Sequence, residues 1–263
     1  MNPAPFKFII SSLLLCLLIT RPNESMGQKN ITTRIIAHRG AWKNTGVPEN
    51  SIASLKHAIR LNCWGSEFDV HISSDSVPFV LHDHTIQGIH IEKTTAAELS
   101  KIKLSNGEPL PTLESYLKAG KSQNITRLIL EIKSSSISRE RSLALTKKCV
   151  EMVHKLNVAF MTEYIAFDFD VCKKVKELDP SATVSYLEGD KSPDEIKKAG
   201  LDGLDYHYSV FQQHEDWLKI SKKKKLITNV WTVNEEEMMR WFIDRTVNFI
   251  TTNEPEKLIE LMK

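Results

Sequence analysis

The fold is decided by Arg127-Leu128-Ile129-Leu130-Glu131-Ile132, followed by a helical pattern over Ser138–Leu156 and then by Tyr164-Ile165-Ala166-Phe167. Two short runs of branched or aromatic residues with a helical stretch between them read as a βαβ unit, with parallel strands and a right-handed crossover. Working outwards, similar runs at Arg34–Ala37, Ser66–Val70, Thr183–Leu187, Gly203–His207, Asn229–Val233 and Asn248–Thr251 bring the expected strands to eight. Helical patterns at Ser51–Leu61, Asp168–Leu178, Pro193–Ala199, His214–Lys222, Glu235–Asp244 and Pro255–Met262 lie between or after them. Such an alternation predicts an α/β fold, a closed (β/α)8 TIM barrel.

One connection is too long. About fifty residues separate Val70 from Arg127, far more than a βα unit needs. The spacing predicts a small insertion after the second strand, about residues 71–111. It holds a strand at Pro78–Leu81 returning from a turn at Ser73–Val77 and a short helix at Thr95–Ile102; the crossover helix follows at Thr112–Ala119. Its place is the barrel rim, where the loops after the strands build active sites.

The 263 residues carry 35 Lys and Arg against 33 Asp and Glu, a net charge of +2, which supplies no broad field for a nucleic acid. Residues 8–20 form an apolar run behind Lys7, shorter than a membrane span, and Ser25-Met26-Gly27 places small residues two apart. A signal peptide over residues 1–27 is therefore expected. It leaves a mature, nearly neutral domain over 28–263, exported to a periplasm or secreted, with no stable membrane insertion. Leu15 before Cys16 does not fit a lipoprotein motif. The odd set Cys63, Cys149 and Cys172 encodes neither a disulfide framework nor a zinc site, and buried apolar thiols are the expectation; spacing alone does not decide a Cys149–Cys172 bridge.

Polar groups gather at the carboxyl ends of the expected strands. His38 and Arg39 follow the first, Glu67 and Asp69 lie in the second, His82 ends the insertion strand, and Glu131 and Lys133 end the third. Glu67 and Asp69 are two apart and share a face, as do Glu131 and Lys133. Turned inward, the carboxylates would crowd, and a hard divalent cation such as Ca²⁺ or Mg²⁺ would neutralise them. Three carboxylates, two histidines, an Arg and a Lys are what cleavage of a phosphodiester needs: cations to hold phosphoryl charge, imidazoles to move protons. Each piece alone has a duller reading, as a solvated strand edge, a structural histidine or a turn. Their joint placement at one rim argues for the chemistry.

These residues also resemble the glycerophosphodiester phosphodiesterase family. The matching segments are Ile36-Ala37-His38-Arg39-Gly40, Pro48-Glu49-Asn50-Ser51, Glu67-Phe68-Asp69-Val70, Leu81-His82-Asp83, Leu130-Glu131-Ile132-Lys133, Val230-Trp231-Thr232-Val233-Asn234 and Ile250-Thr251-Thr252. The resemblance implies a (β/α)8 barrel with an insertion after the second strand. It implies that His38 and His82 are the acid–base pair, that Glu67, Asp69 and Glu131 bind a divalent cation, Ca²⁺ or Mg²⁺, and that Arg39 and Lys133 contact phosphate. The implied substrate is a small glycerophosphodiester such as glycerophosphocholine. The implied route runs through a cyclic phosphate to glycerol 3-phosphate and an alcohol. Trp231 is read either as a substrate wall or as barrel core.

The chain departs from the family pattern at Asp75-Ser76 in place of Asp-Gly, at His84-Thr85-Ile86-Gln87-Gly88, and at Asn253, where an aspartate is common. His71 is expected on the face opposite Asp69, outside the site. Lys222–Lys225 reads as a solvated helix end. The other readings are a phosphoinositide-cleaving phospholipase C and a non-catalytic barrel binding phosphorylated ligands. No serine-hydrolase, dinucleotide or P-loop motif is present.

Overall fold

Strands buried on both faces need helices outside and side chains within, and a parallel sheet meets that demand by closing on itself. The structure, a computed structural model, describes residues 33–263 and Met1. The expected signal peptide over 1–27 lies, Met1 apart, outside the described residues. The chain divides into Met1–Asn30 and Ile31–Lys263, the second unit holding the barrel.

The strands are β1 (Arg34–Ala37), β2 (Gly65–Ile72), β3 (Pro78–Val80), β4 (Thr85–Ile86), β5 (Ile89–His90), β6 (Arg127–Ile132), β7 (Thr162–Ala166), β8 (Thr183–Tyr186), β9 (Gly203–His207), β10 (Ile227–Trp231) and β11 (Phe249–Thr252). The order β1-β11-β10-β9-β8-β7-β6-β2 is closed by pairing of β1 with β2, and these eight run parallel. The expected TIM barrel is therefore present. Strand ends differ by a residue or two, as at β7 and β10, and a helix at Tyr208–Gln213 was not anticipated.

Two apolar layers hold the barrel. The outward faces pack on the helices through residues such as Phe68, Tyr116, Tyr206 and Phe242. Inside, Ile36, Ile129, Ile165, Leu187 and Phe249 fill the lumen with Trp64, Phe167, Ile227 and Trp231. The insertion has its own core of Phe79, Ile91, Leu99, Ile102 and Leu110. It pairs with the barrel through β3, antiparallel to β2. The unfamiliar His84–Gly88 segment enters a hairpin of β4 and β5 whose two-residue turn, Gln87-Gly88, has positive φ at both positions, the geometry that matches strand twist.

Cys63, Cys149 and Cys172 are free and buried. The lysine run caps the helix Asp216–Lys224, with Lys225 in the left-handed region. Among the described residues no helix is long and apolar enough to cross a membrane.

The turn after β1 is tightly determined. Arg39 and Gly40 both have positive φ, and Gly40 N donates to Glu67 O at 3.2 Å. A Cβ on Gly40 would stand 2.4 Å from Ser54 Oγ. Gly40→Ala should therefore destabilise the fold by about 1–3 kcal/mol. Urea denaturation checks this; a midpoint equal to wild type would mean that the turn relaxes freely.

Candidate active site

Barrel register brings the acidic residues together. Asp69 of β2 lies opposite Glu131 of β6, with Glu67 two residues before Asp69 on the same face. One oxygen of each carboxylate lies within 4.8 Å of the others, and all three are buried. Lys133 Nζ stands 2.8 Å from Glu131 Oε1 and 3.2 Å from Asp69 Oδ1, while Arg39 Nε is 3.7 Å from Asp69 Oδ2. Asn50, itself at positive φ, donates its amide to Asp69 Oδ2 at 2.8 Å and accepts from Asp69 N. Glu67 Oε2 accepts from Arg39 N at 2.8 Å, but Glu67 Oε1 is buried without a hydrogen-bond partner.

The charges are unequally shared. Burial and then the neighbouring carboxylates push Glu67 well above the carboxylate range. Burial, with Asp69 beside it, lifts Glu131 to about 8. Burial alone would also raise Asp69, yet Lys133, His82, Asn50 and Arg39 hold it below its ordinary value. Two of the three oxygen donors thus favour a proton unless another cation arrives. An orphaned buried carboxylate oxygen beside two others is a donor set that fits a hard divalent ion.

The two histidines are held in different ways. His38 Nδ1 lies 2.7 Å from Asn253 Oδ1; an amide oxygen only accepts, so Nδ1 carries the hydrogen and Nε2 keeps its lone pair, 3.9 Å from Glu67 Oε2. Burial, and next the Arg39 charge, bring His38 down to about 4. His82 is a third exposed, and its Nδ1 stands 2.7 Å from the carboxylate of Asp83. Arg39 also reaches Glu49 at 2.9 Å.

His38, Arg39, Glu67, His82, Glu131, Lys133 and Trp231 line one cleft at the barrel mouth, and Asp69 anchors the cations from behind. All eight residues named from the sequence are therefore neighbours. Trp231 joins Ile165, Phe167 and Leu187 as the apolar wall, its Nε1 fixed on Asp205 O at 2.9 Å. Four contributors were not anticipated as such: Asn50, Asn253, Asp83 and Asp205. Asp205 lines the cleft with a buried, unpartnered Oδ1 and is raised by burial to about 7. His71 requires a correction. It is two residues from Asp69, so the strand period puts it on the same face; it feels the charges of Lys133 and Asp69, and its Nε2 donates to His82 O at 2.9 Å.

Comparison with known proteins places the barrel among the phosphoric diester hydrolases. More narrowly, the chain belongs to the glycerophosphoryl diester phosphodiesterase family, whose sequence model matches residues 38–257. A glycerophosphodiester phosphodiesterase of Caldanaerobacter subterraneus subsp. tengcongensis is 28% identical over 246 residues, 88% of this chain and 98% of that protein. A solved glycerophosphodiester phosphodiesterase from Parabacteroides distasonis is 47% identical, covering 88% of this chain and 97% of that one, with a TM-score of 0.86. A phosphodiesterase of Oleispira antarctica, solved with the product sn-glycerol-3-phosphate, shares the fold at 23% identity and a TM-score of 0.74, covering 87% and 96% of the two chains.

His71 is a buried imidazole and His38 a part-buried one, both brought from 6.5 to about 4 with desolvation as the main cause. Between those values the unfolded chain takes protons that the folded chain refuses. This contribution is therefore complete above about pH 6.5 and is lost as pH falls towards 4. The raised carboxyls act in the opposite sense, so the comparison is with His71→Asn at each pH. Urea midpoints at pH 7 and 5 should fall less in His71→Asn than in wild type; equal falls would show that His71 is protonated in the folded state.

Proposed function

We propose that the chain hydrolyses glycerophosphodiesters such as glycerophosphocholine with a divalent cation on Glu67, Asp69 and Glu131, using His38 as the first base and His82 as the first acid. The observation that carries this reading is the unlike setting of the two imidazoles across one cleft. His38, part-buried and neutral, rests Nδ1 on the uncharged amide oxygen of Asn253 and presents a lone pair at Nε2, whereas His82 Nδ1 stands 2.7 Å from the Asp83 carboxylate.

In the first half, His38 Nε2 takes the proton of the glycerol 2-hydroxyl as its oxygen attacks phosphorus, and His82 gives a proton to the departing alcohol oxygen. In the second, His82 takes a proton from water as that water attacks the cyclic phosphate, and His38 returns its proton to the 2-oxygen, leaving glycerol 3-phosphate. Arg39 and Lys133 hold the non-bridging oxygens, and Trp231 with Phe167 excludes water from one side. A bound dication would supply Lewis-acid polarisation of the phosphoryl oxygens. The unpartnered Glu67 oxygen and the shared burial of the trio support that placement. The family match and the relative solved with sn-glycerol-3-phosphate support the substrate class. The reading includes export, which rests on the apolar run at residues 8–20 and the small residues Ser25 and Gly27.

Chelator-treated protein given back Ca²⁺ or Mg²⁺ should release glycerol 3-phosphate from glycerophosphocholine. Cyclic inositol phosphate from phosphatidylinositol, with glycerophosphocholine untouched, would instead make it a phospholipase C. His38→Ala and His82→Ala should each lower kcat by about 10²–10⁴-fold while the protein stays folded. Near-normal turnover in either variant would remove that histidine from proton transfer.

Cation binding should also release protons at pH 7, because burial lifts the Glu131 carboxyl to about 8 and a ligating carboxylate must be ionised. Calorimetry in buffers of differing ionisation enthalpy reads that release; Glu131→Gln should diminish it. Proton-neutral binding would separate Glu131 from the cation.

A further inference from the structure

On the insertion side of His82 lies a group of side chains that the reaction above does not use. His71 comes from the end of β2, His84 from two residues beyond His82, and Glu92 from the 3-10 turn Ile91–Lys93. One donor atom of each lies within 4.8 Å of the others. His71 and Glu92 are buried, and His84, half-exposed overall, has a buried Nδ1 with no hydrogen-bond partner. That Nδ1 stands 3.7 Å from Glu92 Oε1. The separation is too long for a hydrogen bond. Two ligands of one tetrahedral ion, with bonds of about 2.0–2.1 Å, stand roughly 3.4 Å apart, so the pair needs to close by only a few tenths of an ångström.

The surroundings support ligation. His71 Nε2 donates to the carbonyl of His82, which leaves the lone pair on Nδ1. Ligating histidines are ordinarily oriented through the other ring nitrogen in this manner. Glu92 is kept ionised and fixed, despite its burial, by hydrogen bonds from Ser135, from Ser136 and from Arg141. His90 adds a fourth candidate: its Nδ1 is also buried and unpartnered, and its ring centroid is 6.2 Å from that of His84. Two imidazoles and a carboxylate differ in kind from the all-oxygen trio in the cleft. They suit a borderline ion rather than a hard one.

The geometry points to a second divalent-metal site at His71, His84 and Glu92, selective for an ion of the Zn²⁺ or Co²⁺ type and completed by water or His90. Because His71 holds the His82 carbonyl and His84 lies two residues further on, an ion here clamps the segment that carries His82. The inference does not depend on the diester reading, since its test measures binding.

Chelator-treated full chain, with Mg²⁺ in excess to occupy the carboxylate trio, is titrated with Co²⁺ and followed by its visible absorption and by equilibrium dialysis. We expect one Co²⁺ per chain with the intense absorption of four- or five-coordination, displaced by Zn²⁺ and retained in Glu67→Gln. Affinity should fall tenfold or more in His84→Ala and in Glu92→Gln. His84 sits on a half-exposed loop, so His84→Ala keeps the fold, as circular dichroism checks, and decides the matter should Glu92→Gln unfold. Absence of Co²⁺ binding under these conditions, equal affinity in folded His84→Ala, or loss of the bound ion in Glu67→Gln would overturn the proposal.

Discussion

The enforced proximity of Glu67, Asp69 and Glu131 organises the barrel mouth. Three carboxylates in a buried space repel one another and lose hydration, and nothing apolar offsets that. Lys133 and Arg39 supply two positive charges, Asn50 supplies a neutral donor, and the turn at Arg39–Gly40 aims a backbone N–H at Glu67. These partners settle Asp69 as an anion but leave Glu67 and Glu131 raised. An arrangement that is electrostatically incomplete with its own side chains persists because the surrounding barrel over-determines it, and such tension is typical of sites built to receive charge.

The barrel was legible in the sequence because its signals repeat. Eight short branched runs interleaved with helices point to one closed sheet, and residues at the strand ends necessarily meet at one mouth. The insertion was legible only in part. Pro78–Val80 is apolar enough to show as a strand, but β4 and β5 have two residues each and carry no periodicity to read. Tyr208–Gln213, a helix of six residues starting directly after β9, escapes for the same reason.

Within the site, residues of ionisable type at strand ends were visible, whereas those that orient them were not. Asn253 and Asn50 are uncharged and lie in turns. Their importance comes from contacts across 215 and 19 residues of chain, which no local pattern encodes. Asp205 resembles any strand aspartate until the lumen around it is seen to be closed. His71 is different: strand period alone places it beside Asp69, and the structure agrees with the period.

The two imidazoles rest on parts of the molecule that are stabilised separately. His38 follows a barrel strand, joined by its N–H to Thr252 O and by its ring to Asn253, beside the packing of the lumen. His82 follows a strand of the insertion, whose apolar core is its own and whose links to the barrel include β3, the His71 hydrogen bond and the bonds that Ser135, Ser136 and Arg141 make to Glu92. In the proposed scheme, a change in the insertion would therefore act first on His82, the group assigned to the alcohol. In the proposed reaction the barrel fixes the glycerol phosphate half, which is constant among glycerophosphodiesters, and the insertion shapes the half that varies. On that reading the leaving group lies nearest the segment His84–Gly88, one of the places where the chain departs from the family pattern.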